Sequence, residues 1–401
     1  MNKKILELLK VYQEEATEFR HYLHRHPEVT SKEFETSKLL KEEARKLGLK
    51  VEEVPADNQS VGTGFIATLD TGRPGKIMGL RTDIDALPVQ ENPNNLAGPR
   101  DIISENEGTM HACGHDGHMT TVMYSMRILS DLKDDLTGKV IFIFEEGEEL
   151  NTGINAMVKF LEGRDIDAIY GNHLAAFLEV GKVSADAGPV MAAAARIEMN
   201  VIGRGGHGSR PDLSVNPLFA GVDILNSISV AWNNQVNVEE TVTLGVTQFH
   251  VGSQNNVFAD KAYIGGTLRY FNEEEGVKAY KLLENTAKTV ATVHGCKIEL
   301  DPLAGPATMP VVNDEELAEL TQEGIEELFP GHLEKEVNWF ASESFSQFAK
   351  IAPSVFTFVG IKNEELGSGA EHHNEYFDMD DTALEYAIGT MVKFTVDYLR
   401  K

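Results

Sequence analysis

The densest chemistry in the chain lies at residues 111–118, HACGHDGH, a run that holds a thiol and three imidazoles. The whole chain has only thirteen histidines and two cysteines, so composition alone would not give such a cluster. Cys113 by itself reads as a small buried apolar residue. Beside His115 it reads as a metal ligand, since thiolate and imidazole are the donors that hold transition-metal ions. His111 and His118 suit helix-cap or ligand-orienting positions. A second concentration, Glu145, Glu146, Glu148 and Glu149, follows the apolar run KVIFIF rather than a surface helix, and at least one of its carboxylates is expected on a metal. Arg81, Asp83 and Asp85 follow KIMGL, His173 follows AIYGN, and His372 and His373 follow VFTFVG and a polar loop. Each of these histidines is weak alone and gains weight only from the position they share.

That position is the end of a strand. Ile5, Leu8, Tyr12, Phe19 and Leu23 recur at helical spacing up to Pro27, and a capping box, Thr30 with Glu33, opens a second helix that ends at Gly48. Strand-like runs and helices then alternate: GFIATLD, KIMGLRTD, a helix from about 116 to 132, KVIFIF, a helix near 154–160, and DAIYGN. Such alternation predicts an α/β domain with a mostly parallel sheet between helices. In sheets of this kind ligands bind beyond the carboxyl ends of the strands, where the unusual residues gather. From Arg196 the order becomes β-α-β-β-α-β, a ferredoxin-like α+β unit that closes its own sheet. It reads as an inserted domain, 189–302, inside a discontinuous catalytic metal-binding domain, 1–188 and 303–401. A helix capped by Asn313, the strand VFTFVG and a helix from about 380 to 399 complete that domain.

Charge and composition exclude some partners. With 36 Lys and Arg against 63 Asp and Glu, the net charge of −27 argues against nucleic acid, which needs a basic footprint. No apolar run approaches the ~18 residues of a membrane span. The start, MNKKILELLK, has its would-be signal core broken by Glu7, so a cytoplasmic location is expected. Cys113 and Cys296 are too few for a disulfide framework.

HRHPE at 24–28, GLRTDIDALP at 79–88, MHACGHDGH at 110–118, GRGGHGSRP at 203–211 and HHNEYFDMDD at 372–381 occur in this order across nearly the whole chain. Together they closely resemble the dinuclear-metal amidohydrolases that include hippurate hydrolases, auxin-conjugate hydrolases and N-acetyldiaminopimelate deacetylases. The resemblance implies a catalytic domain with two divalent metal ions per subunit and an inserted lid domain. It implies Cys113 as a thiolate bridging the ions, His115, Glu149, His173 and His373 as the other ligands, and Glu148 as the catalytic carboxylate. His373 is preferred to His372 for its spacing to Phe377: the family's His-Ser-Pro-x-Phe is here His373-Asn374-Glu375-Tyr376-Phe377. Two further departures, Phe144-Glu145-Glu146-Gly147-Glu148-Glu149 for Phe-Gln-Pro-Ala-Glu-Glu and Ser342-Glu343-Ser344-Phe345 for Ser-Glu-Asp-Phe, delete no ligand and bear on substrate preference. Asp83 and Asp116 are candidates for orienting ligand imidazoles, with turn-forming aspartates as the alternative. On the insert the resemblance implies His207 as an oxyanion stabiliser, often supplied by a partner subunit's lid, and Asn256 and Arg269 as contacts to the substrate carboxylate. A turn histidine and a surface salt bridge are the competing readings of His207 and Arg269.

Two closely spaced ions can acidify one water and polarise an amide carbonyl together. Adjacent glutamates suit that chemistry, because one can coordinate while its neighbour moves protons. The expected function is hydrolysis of the amide bond of an N-acyl amino acid or short peptide, by a homodimer joined through the lid. A dipeptidase, a metal-binding protein without turnover and an interaction module are the alternatives. Thiolate and imidazole favour zinc, while carboxylates allow manganese, cobalt or nickel.

Overall fold

The computed structural model describes residues 1–400, which divide into two compact units. The first comprises Met1–Gly188, Val312–Val337 and the chain from Gln347 onward. Its sheet has eight strands in the order Lys50–Glu53, Phe65–Asp70, Lys139–Glu145, Ile77–Asp83, Ala168–Glu179, Ser354–Lys362, Val183–Ser184 and Leu333–Glu334. Lys139–Glu145, Ile77–Asp83, Ala168–Glu179 and Ser354–Lys362 form a parallel centre. Around it, three pairings are antiparallel. Val183–Ser184 and Leu333–Glu334 pair in parallel as well, so the sheet is mixed, with the expected parallel strands at its centre and antiparallel pairings among the rest. Parallel neighbours need a long crossover, and the links from Glu53 to Phe65, Asp70 to Ile77 and Glu179 to Val183 carry no helix.

The helices Asn2–Arg25, His115–Asp131 and Ala383–Arg400 pack on one another, and the last two also cover central strands. Ile5, Leu9, Met119, Met126 and Met391 are among the residues this packing buries. Lys139–Glu145 is buried from Val140 onward, as expected of a central strand covered on both faces. Register pairs Asp83 with Glu145 and Leu80 with Tyr170, so Asp83, Glu145 and His173 stand at one level of the sheet.

Two helix caps differ from the sequence reading. Phe34–Lys46 is capped by Glu28, whose carboxylate accepts from the Thr36 N–H at 2.7 Å, while Thr30 and Glu33 are drawn elsewhere. Glu315–Leu328 is capped by Asp314, because Asn313 is engaged with the Phe356 backbone.

The second unit comprises Pro189–Val311 and Asn338–Ser346. The expected boundary at residue 302 thus falls before the unit's end, and residues 338–346 cluster with it although sequence order placed them with the first. Its sheet runs Val242–Val251, Lys261–Tyr270, Ala193–Ile202, Lys297–Leu300, every neighbour antiparallel. The helices Pro217–Gln235 and Glu273–Val293 pack on each other and on this sheet. Their N-termini are capped by Asn216 and Asn272. Among the described residues, no helix is long and apolar enough to cross a membrane.

Candidate metal centre

Gly114, at φ 82°, turns the chain sharply into the helix that starts at His115, so Cys113 and His115 flank one left-handed residue. The His115 ring donates from Nδ1 to the Asp85 carbonyl oxygen at 2.9 Å. That leaves Nε2 without a hydrogen-bond partner among the described residues, buried, and 3.6 Å from Glu149 Oε1, which also lacks one there. His173 follows the same pattern: Nδ1 donates to the Leu174 carbonyl at 2.8 Å, and Nε2 lies 3.6 Å from the Cys113 Sγ. An imidazole held through one nitrogen by a carbonyl presents the other as a ligand. His373 Nε2 lies 3.4 Å from the second Glu149 oxygen, on a residue at φ 62° whose N–H is tied to Ala112 O.

The donor atoms form two triads, each within 4.8 Å: Cys113 with His115 and His173, and Cys113 with Glu149 and His373. Cys113 belongs to both. A third group joins His115, Glu148 and Glu149, and a fourth joins Asp83, His115 and His118. Within that last group His118 has both ring nitrogens engaged, donating from Nδ1 to Asp83 at 2.9 Å and accepting the Leu174 N–H on Nε2. His372 accepts the Ala176 N–H on Nε2, so of the paired histidines it is His373 whose Nε2 faces the cluster.

The four glutamates of the acidic run are sorted by distant partners. Glu145 pairs with Arg81, which also holds Asp83. Glu146 accepts from the N–H groups of Val61, Gly62 and Thr63 and from the Ser60 hydroxyl. Gly147, at φ 62°, then reverses the chain, and a Cβ there would lie 2.0 Å from Thr152 Oγ1. Glu148 and Glu149 are left at the donor cluster. Their backbone N–H groups both point at the Asp85 carboxylate, at 3.2 and 3.3 Å, and the Thr30 hydroxyl donates to it at 2.6 Å. Asp85 therefore sets two glutamates with its side chain and His115 with its carbonyl. The sequence alone gives Asp85 no role; the signal for it is a pair of aspartates, Asp83 and Asp85, alternating past the end of a strand.

The electrostatics favour a cation. Burial depresses the His115 pKa, but Asp83, Asp85 and Glu149 overcome it and raise it to about 10. Burial and the neighbouring rings of His118 and His372 hold His173 well below the usual imidazole range, hence neutral. Burial works against the charge of Asp83, yet His115, His118 and Arg81 keep it ionised. Asp116 touches neither donor triad's atoms through any hydrogen bond; its carboxylate meets His24 and Arg20. Unpartnered His115 Nε2 and Glu149 Oε1, a thiol, imidazoles and excess negative charge together fit a divalent ion.

In the second unit, His207 lies on a two-residue strand paired with Val257–Phe258, and the Gly208 N–H donates to Asn256 O, so His207 and Asn256 are neighbours. The Ser209 N–H donates to His207 Nδ1, which places the ring proton on Nε2. Arg269 sits on Lys261–Tyr270 and donates to Thr267 Oγ1. No carboxylate among the described residues lies within ion-pair distance of it, so the salt bridge considered for it does not form there, and half-burial lowers its pKa.

A family model described as Peptidase family M20/M25/M40 matches residues 79–397. Thermostable carboxypeptidase 1 of Saccharolobus solfataricus is 30% identical over 376 residues, covering 92% of this chain and 91% of the relative. The IAA-amino acid hydrolase ILR1-like 2 of Arabidopsis thaliana is 31% identical over 389 residues, covering 95% and 84%. The crystal structure of the Bacillus subtilis YXEP protein, described as a dinuclear metal binding peptidase from the M20 family, superposes with a TM-score of 0.82 at 27% identity, covering 98% of this chain and 99% of that one.

Proposed function

The chain belongs to Peptidase family M20/M25/M40 and is a hydrolase of amide or peptide bonds, and from that premise we propose that it releases amino acids from N-acyl amino acids or short peptides at a centre of two divalent metal ions. The observation that carries the reading is the pair of donor triads sharing Cys113. The description of the YXEP structure as dinuclear supports it, and the relatives' names point to amides of amino acids.

Cys113, His115, Glu149, His173 and His373 would hold the ions, with zinc suited by the thiolate and manganese, cobalt or nickel allowed by the carboxylate. Such a pair, when bound, polarises the scissile carbonyl and acidifies water. Glu148 is the proton carrier: it takes a proton from the attacking water and returns one to the departing amine. His207, with its proton on Nε2, donates to the oxygen that becomes negative. Arg269, half-buried without a carboxylate partner, and Asn256 receive the substrate's carboxylate end.

The second unit also offers a way to pair two copies. Val242–Val251 is the last strand of its sheet, with one edge unpaired among the described residues, beside a groove of about 700 Å³ lined by Leu225, Trp232, Val242, Leu244, Val246 and Phe249. An unpaired edge with apolar flanks suits a second copy of the same edge.

The test is metal analysis together with a panel of N-acyl amino acids assayed for free amine. Two equivalents of metal per chain are expected, with amine release abolished by a chelator and restored by the metal. Metal-free protein that still releases amine, or metal-loaded protein inert across acylated amino acids and peptides, overturns the reading.

A further inference from the structure

The HRHPE motif contributes no donor to the metal centre, yet its His24 is buried at 3% exposure between two carboxylates. His24 Nδ1 lies 2.8 Å from Asp116 and Nε2 lies 3.0 Å from Glu91. An ionised carboxylate can only accept, so contact through both nitrogens requires a proton on each, and His24 is an imidazolium. The contacts continue in both directions. Asp116 meets Arg20 at 3.3 Å, Arg20 meets Asp381 at 2.8 Å, and Asp381 meets His21 at 2.6 Å. On the other side Glu91 meets Arg100 at 3.4 Å, and Arg100 meets Asp378 at 3.2 Å. The chain of alternating charges leaves from Asp378 and returns at Asp381, so it closes through one short loop.

That loop follows His373, and Asp116 follows His115. The ring therefore joins the two segments that carry donors from opposite ends of the sequence, with His24 at the middle. Arg100 adds a hydrogen bond to the Glu375 carbonyl in the same loop. We propose that His24 is a positioning residue for the metal centre, a fixed positive charge whose ring of ion pairs locks the start of the His115–Asp131 helix to the loop bearing His373. This rests on the two-metal reading. The groups facing His24 are Arg20 from its own helix, Asp116 from the His115–Asp131 helix, and Glu91 and His111 from the intervening loop. Burial would depress its pKa, but Asp116 and Glu91 raise it to about 9. Outer partners of metal ligands act in this way by holding geometry rather than by touching the ion.

Three measurements on the full chain test the role. Nitrogen-detected NMR of the imidazoles at pH 7.5 should show both ring nitrogens of His24 protonated; one ring proton overturns the proposal. His24→Gln should retain its circular dichroism spectrum but bind zinc about tenfold more weakly in competition with a chelator. Its kcat on an N-acyl amino acid should fall with KM little changed, and Glu91→Gln in the same chain should recover part of the zinc affinity by removing the carboxylate left facing Asp116. Zinc affinity and kcat at the wild-type level in His24→Gln overturn the proposal. If His24→Gln does not fold, Asp378→Asn opens the ring at a partly exposed link; it should weaken zinc binding in the same direction, and unchanged affinity there overturns the role. Wild type that takes up no metal sinks the two-metal reading itself, whereas wild type that loads normally beside variants that load equally sinks only the positioning role.

Discussion

Glu148 and Glu149 are neighbours with different tasks on the proposed function, and the difference can be measured. Both backbone N–H groups are held by Asp85, so replacing either side chain leaves the turn anchored. Glu148→Gln should keep both metals and lose about 10²- to 10⁴-fold in kcat, the worth of general acid–base catalysis, with substrate still binding. Glu149→Gln should lose metal together with activity, since Glu149 supplies oxygens to both His115 and His373 sides of the cluster. Metal analysis and steady-state kinetics on the two variants decide it: metal lost from Glu148→Gln and kept by Glu149→Gln would exchange the roles, and wild-type turnover in Glu148→Gln would remove the proton carrier. Cys113, His115 and the glutamates could be singled out from the sequence because their density is improbable. Which glutamate does what is implied in the sequence by the family resemblance alone, not by the residues' own chemistry. Each is assigned by a partner far along the chain: Arg81 for Glu145, residues 60–63 for Glu146 and Asp85 for the backbone of Glu148 and Glu149.

At the scale of elements the same long reach explains the misread cap. Thr30 and Glu33 have the spacing of a capping box, but a local rule loses to tertiary demand, and both serve the Gly147 turn: Thr30 through Asp85, Glu33 by accepting the Gly147 N–H at 3.0 Å. Glu28 is free to cap because it lies at the turn before the helix. Strand and helix periods were legible because they are local, and the parallel centre followed from the crossovers; the antiparallel flanks depend on which edge each short link reaches. Glu33 carries a testable cost. Burial, aided by Asp85 and Glu146, raises its pKa to about 8, whereas it would titrate near 4.5 when unfolded. Between those values the native state holds a proton that the unfolded chain has released, so stability falls as pH rises from about 4.5 to about 8 and levels off above. Glu33→Gln keeps an acceptor for Gly147 and has no charge to bury. Its melting temperature should match wild type at pH 4.5, exceed it increasingly up to pH 8 and stay ahead above. A constant difference across that range would mean that Glu33 titrates normally.

For the molecule as a whole, the candidate metal donors lie in the first unit and His207, Asn256 and Arg269 in the second. On the proposed function His207 must meet substrate held by the first unit's donors, either within one chain or from a second copy joined at the Val242–Val251 edge. A mixture of two inactive variants separates these cases. His207→Ala lacks the oxyanion donor and Glu148→Gln lacks the proton carrier, so each alone should be slow. If His207 acts across a dimer, a mixed pair holds one site with Glu148 from one chain and His207 from the other. Random pairing of equal amounts makes about half the dimers mixed, and each has one intact site of two, so about a quarter of wild-type activity should return. If His207 serves its own chain, every site in every dimer keeps one lesion. Kinetics on the mixture, with mixed dimers verified by differently tagged chains, then show no recovery, and action across the dimer is excluded.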